Sequence, residues 1–177
     1  MTPTILVAGV GNIFLGDDAF GVEVALSLMK RRLSQSVLVK DFGIRGFDLA
    51  YALLDPWDAV IIVDAMPRGE APGTLFVVEP NLAALGNPTS PDMALNPHGM
   101  DPVRVLNLAA SMGAISAQIL IVGCEPNDFG DDLDGRMGLS SVVQASVEEA
   151  ANMVEELVRR MLATKKLHPI KLQTVER

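Results

Sequence analysis

Three residues far apart in the chain, Asp18, Asp64 and His98, carry side chains suited to a divalent ion. Two carboxylates and an imidazole supply oxygen and nitrogen donors, and they leave coordination positions open for water or substrate. Each also has a plain reading. Asp17 and Asp18 precede a stretch of helical pattern, where aspartate commonly caps the first turn. Of the two, Asp17 is assigned to capping or solvent and Asp18 to the site. Asp64 ends the apolar run 59–63, and a carboxylate closing a buried strand is costly unless paired or bound. His98 is one of two histidines and otherwise reads as a solvated loop residue. The set does chemistry only if the fold brings all three to one edge.

The elements that must position them follow from the apolar pattern. The runs 4–9 (TILVAG), 37–42 (VLVKDF), 59–63 (AVIIV) and 118–123 (QILIVG) read as buried strands. Helices are expected over 19–33, with Lys30, Arg31 and Arg32 in the last turn, and over about 47–54. Asp101-Pro102 reads as cap and first position of a helix to about residue 112, and 141–162 as the closing helix. After Asp64 the connection holds Pro67, Gly69, Pro72 and Gly73 without helical pattern, so 74–78 (TLFVV) is expected to pair antiparallel with the strand before it. Residues 80–100 read as a long loop of the functional kind. The result is one α/β domain over 1–163 with a tail over 164–177: a mostly parallel five-stranded sheet, one strand antiparallel, helices on both faces. Ligands of such sheets bind beyond the carboxyl ends of the strands. Asp18 follows the first strand, Asp64 ends the third, and His98 precedes the last parallel unit.

Composition narrows the partners. The chain has 177 residues, 49% hydrophobic and 20% charged, which is enough for one domain with its own core. A net charge of -8 opposes binding to phosphate backbones and anionic lipid, so neither nucleic acid nor a membrane surface is expected. One cysteine, Cys124, permits no internal disulfide and fits a reducing compartment. The first residues lack a basic region, and polar residues interrupt every long apolar run. The expected protein is cytoplasmic and monomeric.

Several other chemistries are tested by spacing. Gly9-Val10-Gly11-Asn12-Ile13-Phe14 begins like a dinucleotide fingerprint, with Asp41 as the ribose acid, but Phe14 stands where the third glycine belongs. His-Glu-x-x-His and Gly-x-Ser-x-Gly are absent. Cys124 reads as buried core material or as a nucleophile paired with His98. The acidic loop 127–134 lacks calcium-loop register and reads as solvated.

The segment Gly9-Val10-Gly11-Asn12-Ile13-Phe14-Leu15-Gly16-Asp17-Asp18-Ala19-Phe20-Gly21-Val22 resembles the N-terminal signature of the hydrogenase maturation proteases. The resemblance continues through 41–49 (DFGIRGFDL), 60–65 (VIIVDA), His98 ahead of a helix, 121–126 (IVGCEP) and Leu139-Ser140, and so covers about residues 4–160. It implies a twisted sheet sandwiched between helices. It implies an endopeptidase that trims a short C-terminal peptide from the precursor of a nickel-iron hydrogenase large subunit. The metal-contacting positions of that family match Asp18, Asp64 and His98, and the nickel belongs to the substrate, so no organic cofactor is implied. The first acid is Asp here, where some relatives have Glu. Within this reading Gly43 lets substrate backbone approach, and Arg45 is either a solvated loop residue or a partner for a precursor carboxylate. Two readings of other classes stand beside it: a nucleotide-binding domain using Gly9, Gly11 and Asp41, and a nickel carrier that cuts nothing.

Overall fold

The computed structural model describes residues 4–85, 101–130 and 135–163. His98 and the 164–177 tail lie outside the described residues. Five strands form one sheet: β1 Ile5–Val10, β2 Val37–Gly43, β3 Ala59–Ala65, β4 Leu75–Val78 and β5 Gln118–Cys124. Their order is β2-β1-β3-β5-β4. β1, β2, β3 and β5 run parallel, and β4 is antiparallel. The helices are α1 Phe20–Met29, α2 Gly46–Ala52, α3 Pro102–Met112 and α4 Ser141–Ala163.

β1 and β3 are buried along their whole lengths, as central strands covered on both faces must be. Alternate residues serve opposite faces. Ile5, Val7, Ile61, Val63, Leu120 and Val122 pack with α1 and α4. Leu6, Ala8, Val60, Ile62, Ile119 and Ile121 pack with α2 and α3. α4 buries Val143, Val147, Ala150, Val154 and Leu157 at three- and four-residue intervals, an apolar stripe against the sheet. α1 sits unusually close. A Cβ on Gly21 would lie 2.0 Å from the carbonyl oxygen of Val63 and 2.3 Å from that of Val10.

Two expectations need correction. β4 pairs with β5, not with β3, because β3 already has β1 on one side and β5 on the other. The chain after Asp64 therefore crosses the end of β5, where Glu125 captures it. The Arg68 and Gly69 N–H groups donate to the Glu125 carboxylate, the Gly73 N–H to its carbonyl, and the Glu125 N–H to the Thr74 carbonyl. The first helix stops at Met29 instead of reaching Leu33. Arg31 lies past its end and reaches α4, donating to Asn152, Glu155 and Glu148.

Candidate active site

The sheet order reverses between β1 and β3. The chain leaves β1 toward β2 on one side and later places β3 on the other, and in parallel sheets ligands bind at the carboxyl ends of the strands at such a switch point. Asp18 lies just beyond β1, and Asp64 is the sixth residue of β3.

Asp18 is presented by a 3-10 turn, Gly16–Ala19, wedged between β1 and α1. Gly11 makes the approach possible. Its φ is +132°, and a Cβ there would fall 1.7 Å from the Asp18 carbonyl oxygen. The Asn12 N–H donates to Asp18 Oδ2 at 2.7 Å, which fixes the carboxylate. Burial pushes the Asp18 carboxyl above its usual value, and the Asn12 bond only partly offsets this. Asp18 is 9% exposed and Asp64 5%. Burial raises Asp64 well above the ordinary carboxylate range, and the nearby Asp18 and Asp101 charges add to it, against one hydrogen bond from the Ala65 N–H. Two buried acids, with the Asp18 charge adding to the cost of ionising Asp64, form a place where a cation, or one proton, is favoured.

Asp101, which caps α3 through the Val103 N–H at 2.9 Å, borders the same place. His98 stands three positions before Asp101 in sequence. Among the described residues, no group of three metal-ligating side chains forms. Asp18 and Asp64 come together; His98 lies outside the residues described.

Asp17 is neither a cap nor in solvent, contrary to its assignment from sequence. It is fully buried. Its carboxylate accepts from the N–H groups of Asn127, Asp128 and Ser140 and from the Ser140 hydroxyl, at 2.6–3.0 Å. Burial pushes its carboxyl up, but these hydrogen bonds outweigh that and hold it below the usual value. It ties the turn bearing Asp18 to the β5–α4 connection, so the stretch read as a solvated acidic loop is anchored at 127–128. Local sequence carries no signal for this, because the donors lie more than a hundred residues downstream.

The second strand reaches the same edge through a bulge. Gly9 pairs with Asp41 and Val10 with Gly43, and the Gly11 N–H donates to the Gly43 carbonyl at 3.0 Å. Gly43 has φ +52°. Arg45 folds back on the turn. Its Nε donates to the Phe42 carbonyl at 3.1 Å and its Nη2 to the Asp41 carbonyl, with Asp48 4.0 Å away. Cys124 is buried, and its thiol is pushed up to about 12 by burial and by the Asp17 and Glu125 charges, so it is no ready thiolate nucleophile. The dinucleotide reading also loses its geometry. Phe14 lies in the loop, and α1 opens six residues later at Phe20, so the strand–glycine turn–helix unit is not formed.

Comparisons with known proteins bear on the family and the fold. The family model for HycI, hydrogenase maturation protease, matches residues 22–157. The hydrogenase expression/formation protein HupD of Rhizobium leguminosarum is 32% identical over 155 residues, covering 86% of this chain and 74% of that one. The hydrogenase 2 maturation protease of Escherichia coli is 31% identical over 157 residues, covering 88% and 90%. Among solved structures, the hydrogenase maturating endopeptidase HybD of E. coli superposes with a TM-score of 0.69 at 29% identity, covering 90% of this chain and 93% of that one. The [NiFe] hydrogenase maturation protease HycI of Thermococcus kodakarensis gives 0.63 at 26%, covering 88% and 92%. This chain belongs to the hydrogenase maturation protease family and is, by that membership, a hydrolase of the endopeptidase type.

Proposed function

We propose that this enzyme removes a short C-terminal peptide from the nickel-loaded precursor of a nickel-iron hydrogenase large subunit, and that it recognises its substrate through the nickel. The observation that carries this reading is the recessed pair Asp18–Asp64 at the switch point, in a chain whose relatives include proteases named for hydrogenase maturation. Two buried carboxylates, one of which raises the other's cost of ionisation, suit a metal that arrives inside another protein. His98 is the third proposed contact. No organic cofactor enters the reaction.

Docking of the nickel on Asp18, Asp64 and His98 holds the scissile bond beside the carboxylates, and positioning alone removes a large part of a barrier. Water attacks the carbonyl carbon, activated by the substrate's nickel or by a carboxylate acting as general base. The C–N bond breaks, leaving a new carboxyl terminus on the subunit and an amine on the released peptide. Gly43 keeps the β2 edge open to substrate backbone. Arg45 orders the turn carrying Gly43, and its outer face is the proposed contact for a precursor carboxylate. The enzyme works as a monomer in the cytoplasm in this reading. None of the described helices is long and apolar enough to cross a membrane.

The test replaces Asp18 with Asn, Asp64 with Asn and His98 with Ala, one at a time, and incubates each with nickel-loaded precursor. Trimming should fall by about a hundredfold or more in each, as for loss of a charged contact made to the reacting centre. Normal trimming by all three variants would remove the site. A nickel carrier would instead leave the precursor uncut by the wild type.

A further inference from the structure

Asp64, Gly123 and Phe76 stand abreast on β3, β5 and β4. Residues abreast share a sheet face. Gly123 has no side chain, and the Phe76 ring fills the space: a Cβ on Gly123 would lie 2.2 Å from the ring. The guanidinium of Arg68 lies over that ring, with its carbon 4.8 Å from the centroid. Arg68 is exposed and only four residues past Asp64. Its main chain is fixed as well, because its N–H donates to the buried Glu125 carboxylate at 2.7 Å. Arg31 and Arg136 reach carboxylates, and Arg45 reaches main-chain carbonyls. The Arg68 guanidinium has no acidic partner among the described residues, although the chain carries a net charge of -8.

A cation held at its base by a buried acid and along its length by an aromatic face loses little freedom when it binds an anion. Adjacent strands are about 4.8 Å apart, so the Phe76 column lies roughly 10 Å from that of Asp64. That is the span of about three residues of extended peptide.

We propose that Arg68 is a specificity residue that binds a carboxylate on the tail removed from the precursor, about three residues beyond the scissile bond. The carboxylate is an acidic side chain of that tail or its chain terminus. This rests on the endopeptidase reading and extends it. With the metal-bearing body of the precursor seated on Asp18 and Asp64, the tail runs outward across β5 and β4, and Arg68 marks its path. Glu125, Phe76 and Gly123 act through Arg68 by fixing its position.

The experiment measures kcat and KM for wild type, Arg68→Gln and Arg68→Lys on nickel-loaded precursor with three tails. These are the native tail, one with its acidic side chains changed to amides, and one extended past its terminus by neutral residues. Arg68→Gln should raise KM on the native tail about tenfold, as for loss of one charge-assisted pair, with kcat little changed. Arg68→Lys should recover part of the loss. One altered tail should raise the wild-type KM to the Gln level and make the substitution neutral. The amide tail doing so assigns the side chain, and the extended tail assigns the terminus. Equal KM for wild type and Arg68→Gln on all three tails overturns the Arg68 proposal while leaving the endopeptidase reading intact. Failure of the wild type to cut any of them overturns both.

Discussion

At the scale of single residues, the proposed chemistry turns on Asp64. To hold a cation as proposed it must ionise, yet burial and the Asp18 charge make ionisation costly in the fold. Its folded value lies above its unfolded one. As pH rises past the ordinary carboxylate value near 4, the unfolded chain therefore gives up this proton while the fold retains it, and the fold loses stability until the raised folded value is passed. Asn cannot ionise and escapes this loss. Asp64→Asn should therefore raise Tm of the free protein, with a gap over wild type that is wider at pH 7 than at pH 4, even though trimming is expected to fall by about a hundredfold or more. Each kcal/mol gained shifts Tm by about 2–4 °C in a domain of this size. Thermal unfolding across that pH range checks it, and a gap that narrows with pH would contradict the assignment. Asp64 was legible in the sequence because an acid closing an apolar run is conspicuous. Asp17 was not, because its side-chain partners are supplied by residues 127–140 and a local reading sees only two adjacent acids.

At the scale of elements, the site depends on two close fits. Asp17 joins the turn bearing Asp18 to the start of α4 through Ser140. Asp17→Ala should strand several buried donors and cost roughly 3 kcal/mol, read as a lower urea midpoint. The carboxylate's own contribution is present at neutral pH and fades only as pH falls through its depressed folded value. Gly21 lets α1 lie against the carbonyls of Val63 and Val10. Gly21→Ala should push the helix off the sheet and destabilise by about 1–3 kcal/mol or more, again by urea unfolding. The four parallel strands and the helix starting at Asp101-Pro102 were readable from apolar runs and one capping pair. The partner of β4 was not. Strand neighbours follow from sheet order, and the Glu125 hydrogen bonds that draw the chain across β5 join residues more than fifty positions apart.

At the scale of the molecule, five strands in one sheet leave a single switch point, and both conspicuous acids of the parallel strands lie there. The central claim is that nickel inside the precursor is what the enzyme reads. It is tested most directly by incubating the wild-type enzyme with matched nickel-loaded and nickel-free precursor and following release of the C-terminal peptide over time. Release is expected from the loaded precursor alone. Equal rates from both would contradict it.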